Sequence, residues 1–275
     1  MVVHRGFIHL LRQNPLIGSG VLVVLVCMNS VNNRHKNVVL IGATGGIGSA
    51  LIKHLLQDSD VGHIFAFSRL SAEKPIELCN DKVTYGYLDL YSEKSISQLG
   101  VLLENVELDL VLVCSGLLHD DQTQPEKRLS QVNMENFQKL FHINATAPML
   151  IAQQLVPLLN KKRKVVFAVI SARVGSISDN RLGGWYGYRA SKSALNMLLK
   201  TLSIEIQRKL PQSIIVGLHP GTVNTMLSQP FQSKVPADKL FSPEQSTSYL
   251  LDVIEGLRPE QSGRIFAWDG AEILP

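Results

Sequence analysis

Tyr188 and Lys192 are the pair in this sequence whose types and spacing could move a proton. They lie four residues apart in a stretch of helical periodicity, which sets both side chains on one face, one above the other. A free tyrosine has a pKa near ~10, poorly matched to acid–base work at neutral pH. A neighbouring ammonium favours the phenolate and is expected to lower that value. Tyr186 has no lysine four residues on and reads as a packing or cleft aromatic. Upstream, the stretch VISARVGS supplies two hydroxyls, Ser171 and Ser176, that could bind a substrate oxygen beside the phenol.

A second constellation binds rather than reacts. The stretch GATGGIG contains Gly42, Thr44, Gly45, Gly46, Ile47 and Gly48, between an apolar run and a helix-like segment. Glycines there let the backbone approach a pyrophosphate, while the helix N-terminus offers free N–H groups and the positive end of its dipole. About 20 residues beyond such a turn, a nicotinamide cofactor lacking a 2′-phosphate is usually held by an acidic side chain. Here the second strand ends in Ser68 and Arg69. A hydroxyl and a guanidinium suit a 2′-phosphate through charge-assisted hydrogen bonds, so NADP(H) is expected over NAD(H). The plain alternative for Arg69 is a solvated surface arginine.

These groups need a frame. Short apolar runs at 38–41, 64–67, 83–88, 110–114, 165–170, 214–218 and 265–267 alternate with segments of helical spacing such as 49–56, 134–159 and 190–210. Buried strands separated by helices predict an α/β fold of the Rossmann type, a doubly wound parallel sheet of about seven strands with helices on both faces. No internal repeat or linker interrupts residues 37–275, which are expected to form one NAD(P)-binding domain. The Pro- and Ser-containing stretch 222–243 is the longest irregular piece and is expected to form a lid over the site.

Charge and cysteines narrow the function classes. The net charge is +4. Residues 1–36 contain Arg5, Arg12, Arg34 and Lys36 and no acid, and the rest of the chain balances at 23 basic and 23 acidic residues. The basic excess belongs to the N-terminal extension, which removes the composition argument for nucleic-acid binding. Within the extension, LIGSGVLVVLVCM at 16–28 is apolar but too short to span a bilayer as a helix. It reads as a signal-like segment, as a membrane-peripheral anchor, or as sequence upstream of a true start at Met28. Membrane contact is expected only if that segment is real. Cys27, Cys79 and Cys114 lack metal-ligand spacing, and no metal is expected; free thiols in a reducing compartment are the ordinary reading.

The motifs GATGGIG, LDL, INATAP, YRASK and PGTVNT occur in the order of the classical short-chain dehydrogenase/reductase family, which the chain resembles from about residue 37 onward. RVGSISDN, GYRASKSALN and FAWDGAEILP bring it nearest to the C-factor-like carbonyl reductases. The resemblance implies hydride transfer between NADP(H) and a small carbonyl or alcohol, in either direction. Tyr188 would be the proton donor, Lys192 would lower its pKa and hold the nicotinamide ribose, and Asn144 would hold a water in the relay. Asp89 and Leu90 would lie near the adenine and Ser115 and Gly116 along the cofactor. Pro220, Gly221, Val223 and Thr225 would flank the carboxamide. A homodimer or homotetramer is implied, with 134–159 and 190–210 as contact surfaces, as is a cytoplasmic location. The rival class is an NADP-binding signalling or sensor protein with weak or no catalysis.

Two positions depart from the family pattern. Val113-Cys114-Ser115-Gly116 stands where the family has Asn-Asn-Ala-Gly, so the bracing asparagines are lost and Ser115 substitutes in part. Aligned on Gly175, the family's substrate-orienting serine falls on Ala172. Ser171 takes the role through a one-residue shift, or Ser176 does, or the hydroxyl is absent. Strand alternation turns Ser171 to the opposite face, but a bulge at a strand end re-aims a side chain.

Overall fold

The computed structural model describes residues 35–69 and 80–275. The N-terminal apolar segment, Cys27 and Cys79 lie outside these residues.

Strands β1 (Lys36–Ile41), β2 (Val61–Ser68), β3 (Val83–Tyr87), β4 (Leu110–Val113), β5 (Val165–Ile170), β6 (Ser213–His219), the two-residue β7 (Thr222–Val223) and β8 (Leu240–Phe241), and β9 (Ile265–Ala267) follow in chain order. Seven of them make one parallel sheet in the order β3-β2-β1-β4-β5-β6-β9, while β7 and β8 pair with each other. Each predicted apolar run falls on one strand of the large sheet. The runs are continuous because both faces are buried: Val39 and Ile41 enter one core cluster, Val38 and Leu40 the other.

Helices α1 (Gly46–Gln57) and α6 (Pro243–Gly256) cover one face through Leu51, Ile52, Leu55, Leu250 and Ile254. Helices α2 (Glu93–Leu102), α4 (Ala147–Leu155) and α5 (Tyr186–Gln207) cover the other, through Ile96, Leu99, Ile151, Leu155, Leu195 and Leu199. Between them in sequence, α3 (Met134–Phe141) runs into α4 through a π-helical turn at His142–Thr146. The winding direction changes between β1 and β4. In such sheets the crevice beyond the carboxyl ends of the strands at this point is where ligands bind. Among the described residues no helix is long and apolar enough to cross a membrane.

The helical segment expected over 134–159 is present, with the π turn set inside it and a 3₁₀ turn at Val156–Leu158 closing it; a 3.6-residue apolar period barely registers one extra residue in one turn. The helix expected to carry Tyr188 and Lys192 at its start begins at Tyr186 and holds both in its first two turns. The 222–243 stretch is not structureless: it holds β7, β8 and 3₁₀ turns at Gln229–Lys234 and Ala237–Lys239. It ends on a capping box in which Ser242 and Gln245 satisfy each other's backbone N–H at the start of α6.

Candidate active site

The glycine turn after β1 is built as the sequence reading requires. Gly42 has φ +85°, and its N–H and that of Ala43 donate to the Phe67 carbonyl at 2.8 and 3.1 Å. Gly45 N–H donates back to the Gly42 carbonyl at 3.1 Å. A Cβ on Gly48 would lie 2.2 Å from that same carbonyl, so only glycine fits. No side chain caps the N-terminus of α1, whose N–H groups are thus left to a ligand or solvent. At the end of β2 the Ser68 hydroxyl is buried and has no hydrogen-bond partner among the described residues, and Arg69 beside it is exposed. An uncapped helix start behind a tight glycine turn, with an orphaned hydroxyl and an exposed guanidinium one strand over, fits a dinucleotide that carries an extra phosphate.

Ser115 and Thr225, two more of the expected cofactor residues, pack against the glycine turn. A Cβ on Gly42 would lie 3.0 Å from both the backbone N and the Oγ of Ser115. Thr225 lies over the glycine turn, since a Cβ on Gly46 would meet its Cγ2 at 2.6 Å. Pro220 is tied down by its carbonyl, which accepts from Ser246 Oγ at 2.8 Å, and Gly221 follows with φ +77°. The Val223 carbonyl accepts from the Ser228 hydroxyl. Asp89 accepts from Tyr91 N–H at 3.0 Å, and the Leu90 carbonyl accepts from His142 Nε2 at 2.8 Å.

Tyr188 is 7% exposed and Lys192 2%. The ammonium sits 5.8 Å from the Tyr188 ring centroid and donates to the Ile170 carbonyl at the end of β5, 2.9 Å away. This arrangement corrects one expectation. The phenol is not lowered: burial pushes it above its ordinary value, and burial also pushes Lys192 down to about 8. Burial is the cause that dominates for both groups. A phenol held neutral at pH 7 is the protonation state a proton donor needs.

Asn144 is fully buried in the π turn. Its Oδ1 accepts from Leu117 N–H at 2.8 Å, and its Nδ2 donates to the Leu117 carbonyl at 2.8 Å and to Ser191 Oγ at 3.1 Å. The side-chain amide therefore joins the segment after β4 to α5, and both of its N–H groups are taken by protein. Its expected part in holding a water does not fall to those donors. A Cβ on Gly116 would lie 3.6 Å from both Asn144 Oδ1 and Lys192 Nζ, so the segment after β4 passes directly over the two.

Both serines weighed for the hydroxyl beside Tyr188 are bonded within the protein. Ser171 is buried and donates to Asn196 Oδ1 at 2.6 Å, one turn beyond Lys192 on α5. Its N–H continues the β5–β6 ladder to the Leu218 carbonyl at 2.8 Å, with no bulge to re-aim the side chain. Alternation therefore holds, and Ala172, also extended, packs in the small apolar cluster that contains Tyr188. Ser176 is occupied too: its Oγ accepts from Asp179 N–H at 3.1 Å and lies 3.3 Å from Ser178 Oγ.

Around Tyr188 stands an aromatic wall. Trp185 packs edge-on against Tyr188 (centroids 6.2 Å) and Phe231 (5.0 Å), and His119 packs edge-on against Phe231 (5.5 Å). Tyr186 is 39% exposed, consistent with a cleft aromatic rather than a second acid. Sequence reasoning missed Glu126. It is 1% exposed, accepts from Gly187 N–H through Oε2 at 3.1 Å, and accepts from Trp185 N–H through its backbone carbonyl at 2.5 Å. No local pattern marks it, because its partners lie about 60 residues away. Cys114 is a free thiol that burial pushes up to about 12, too high for a nucleophile.

The family model for the short chain dehydrogenase matches residues 36–236. The 1-hydroxy-2-glutathionyl-2-methyl-3-butene dehydrogenase of Rhodococcus sp. (strain AD45) is 29% identical over 237 residues, covering 86% of this chain and 97% of its own. C-signal of Myxococcus xanthus is 35% identical over 146 residues, covering 53% of this chain and 82% of its own. Among solved structures, the NADPH-bound carbonyl reductase from chicken fatty liver superposes with a TM-score of 0.73 at 24% identity, covering 88% of this chain and 100% of that one. The carbonyl reductase Sniffer of D. melanogaster gives 0.76 at 23% identity over the same shares. At these identities the two structures share the fold.

Proposed function

This chain belongs to the short-chain dehydrogenase family, a family of oxidoreductases acting on small molecules, and from that premise we propose that it reduces a carbonyl compound with NADPH. The observation that carries the reading is the pair Tyr188 and Lys192, buried on successive turns of α5 beneath Gly116, where the crevice meets the aromatic wall. When bound, the reduced nicotinamide supplies the hydride. The chain's own residues do the rest. The glycine turn and the start of α1 hold the pyrophosphate through backbone N–H groups. Ser68 and Arg69 hold the 2′-phosphate, and Lys192 holds the ribose. Tyr188 gives its proton to the carbonyl oxygen as charge develops there, and Trp185 and Phe231 keep water away. With Ala172 in place of a hydroxyl, the carbonyl oxygen meets one protein donor from this side, the phenol.

The chicken carbonyl reductase was solved with NADPH bound and a Burkholderia multivorans relative with NADP, which supports the same choice of cofactor here. The reading includes a cytoplasmic homodimer or homotetramer, with the exposed Met197 and Ile204 of α5 in a contact surface. A second reading, an NADP-binding signalling protein, draws on Ala172 and on the similarity to C-signal. NADPH consumption over a panel of aldehydes and ketones, with benzil among them, separates the two. Turnover of at least one carbonyl, faster with NADPH than with NADH, is expected. Tight NADPH binding with no turnover across the panel would favour the signalling reading.

A further inference from the structure

The turn that opens α5 is under backbone strain. Gly183, Gly184 and Trp185 follow one another at φ +65°, +67° and +52°. Trp185 is the only non-glycine residue with positive φ among the described residues, and a bulky side chain in that region needs its surroundings to hold it there. What holds it is Glu126. Its backbone carbonyl takes the Trp185 N–H, and its carboxylate takes the N–H of Gly187, in the first turn of α5. Space is closed around the contact: a Cβ on Gly184 would lie 3.3 Å from the Glu126 carbonyl, and one on Gly187 would lie 3.1 Å from Oε1 and 2.7 Å from Leu140 Cδ1. Leu140 in turn packs in the cluster with Tyr188. The other carboxylate oxygen, Oε1, is buried without a partner. A buried, half-satisfied carboxylate is costly, so its place against this turn calls for a purpose that an alanine would not serve.

We propose that Glu126 is a positioning residue that locks the strained Gly183–Gly184–Trp185 turn, and that the indole so placed is the wall that orients a flat, aromatic ketone over Tyr188. The inference rests on the carbonyl-reductase reading for its substrate half. Its logic follows from Ala172. A site with one hydroxyl donor leaves the carbonyl free to swing about that hydrogen bond, and packing must then fix its plane. Trp185 and Phe231 stand beside the phenol in tilted, edge-on contacts that a planar ring system can join. Arg189 supports the same loop from α5, its side chain donating to the carbonyls of Gly184 at 3.1 Å and Val174 at 3.3 Å and its N–H to the Trp185 carbonyl at 2.8 Å, while the Trp185 N–H is held by Glu126.

The test reads the indole directly. In the full chain carrying Trp268→Phe, Trp185 is the sole tryptophan. Glu126→Ala in that background is expected to raise acrylamide quenching of its fluorescence severalfold, and Glu126→Gln, which keeps the acceptor for Gly187, is expected to restore the parent value. Should Glu126→Ala not fold, Glu126→Asp, too short to reach Gly187, is expected to raise quenching in the same direction. Unchanged quenching in whichever of these two folds would overturn the clamp. In the steady state, losing the aromatic wall is expected to raise KM for benzil about tenfold while kcat changes less. An equal KM for benzil in parent and variant, with quenching raised, would overturn the wall's role in binding. Quenching needs no turnover, so a parent protein that reduces nothing while its variants behave as described would defeat the reductase reading and leave the clamp standing.

Discussion

Two glycine-rich turns each open a helix in this molecule, and they are held in different ways. Residues 42–48 close largely on themselves: Gly45 bonds to Gly42, Gly48 packs on the Gly42 carbonyl, and the N–H groups of Gly42 and Ala43 reach Phe67 on the adjacent strand. Residues 183–187 borrow their shape from Glu126, about 60 residues upstream. In the proposed function the first turn presents backbone N–H groups to the cofactor, so its conformation would itself be what binds. The second presents side chains, Trp185 and Tyr188, and its conformation serves to aim them. A self-contained turn is written where it stands, whereas a borrowed one is written partly elsewhere.

Breaking the first turn should have the larger effect. Gly48→Ala forces a methyl to within 2.2 Å of a backbone oxygen, and no flexible side chain can yield. A loss of at least about 2 kcal/mol of stability is expected, of the size seen for overpacked sites. NADPH affinity should fall roughly a hundredfold, measured by fluorescence titration. A variant that binds NADPH normally would show that this turn is not the cradle.

Next in size is Arg69, proposed to select the cofactor beside that turn. Arg69→Asp should weaken NADPH by about tenfold to a hundredfold, the worth of one charge-assisted contact at roughly 1.5–3 kcal/mol, with NADH little affected. Equal losses for both cofactors would remove Arg69 and its neighbour Ser68 from the role.

The smallest effects lie in the strand end that leads to the second turn. Ser171→Ala removes the bond to Asn196 and should cost about 1 kcal/mol of stability, seen as a lower Tm, while turnover stays within about threefold. Ala172→Ser places a hydroxyl in the Tyr188 cluster and should raise turnover about tenfold, below the 10²–10³ that such donors are worth in sites built around them. A hundredfold loss in Ser171→Ala would put the substrate hydroxyl back on Ser171.

The same contrast explains what could be read from the chain. The sheet was legible because its strands are buried on both faces and show as unbroken apolar runs, and the glycine turn because φ and close approach select residue type directly. Tyr188 and Lys192 were legible as an i, i+4 pair. Four features were not. The side on which Ser171 emerges depends on whether β5 bulges at its end, and the residues there permit either. The phenol's direction of shift depends on how deeply the fold buries the ring, and the sequence pairs the two residues without showing that burial. The π turn that buries Asn144 adds one residue to one helical turn, too little to disturb the apolar period. Glu126 sits between Pro125 and Lys127 in a polar stretch that looks solvated, and only the fold reveals it as buried.

Transfer of hydride past a neutral tyrosine is the central claim, and a labelled cofactor tests it most directly. The purified protein is given benzil, or whichever ketone of the panel it turns over, together with NADPH deuterated on the transferred position of its nicotinamide. The account predicts one deuterium on the new carbinol carbon for each NADPH consumed, and a loss of this product in Tyr188→Phe on the order of 10²–10⁴-fold, with NADPH affinity unchanged and Tyr186→Phe mild. Alcohol without deuterium at that carbon, or equal losses from the two tyrosine variants, would contradict it.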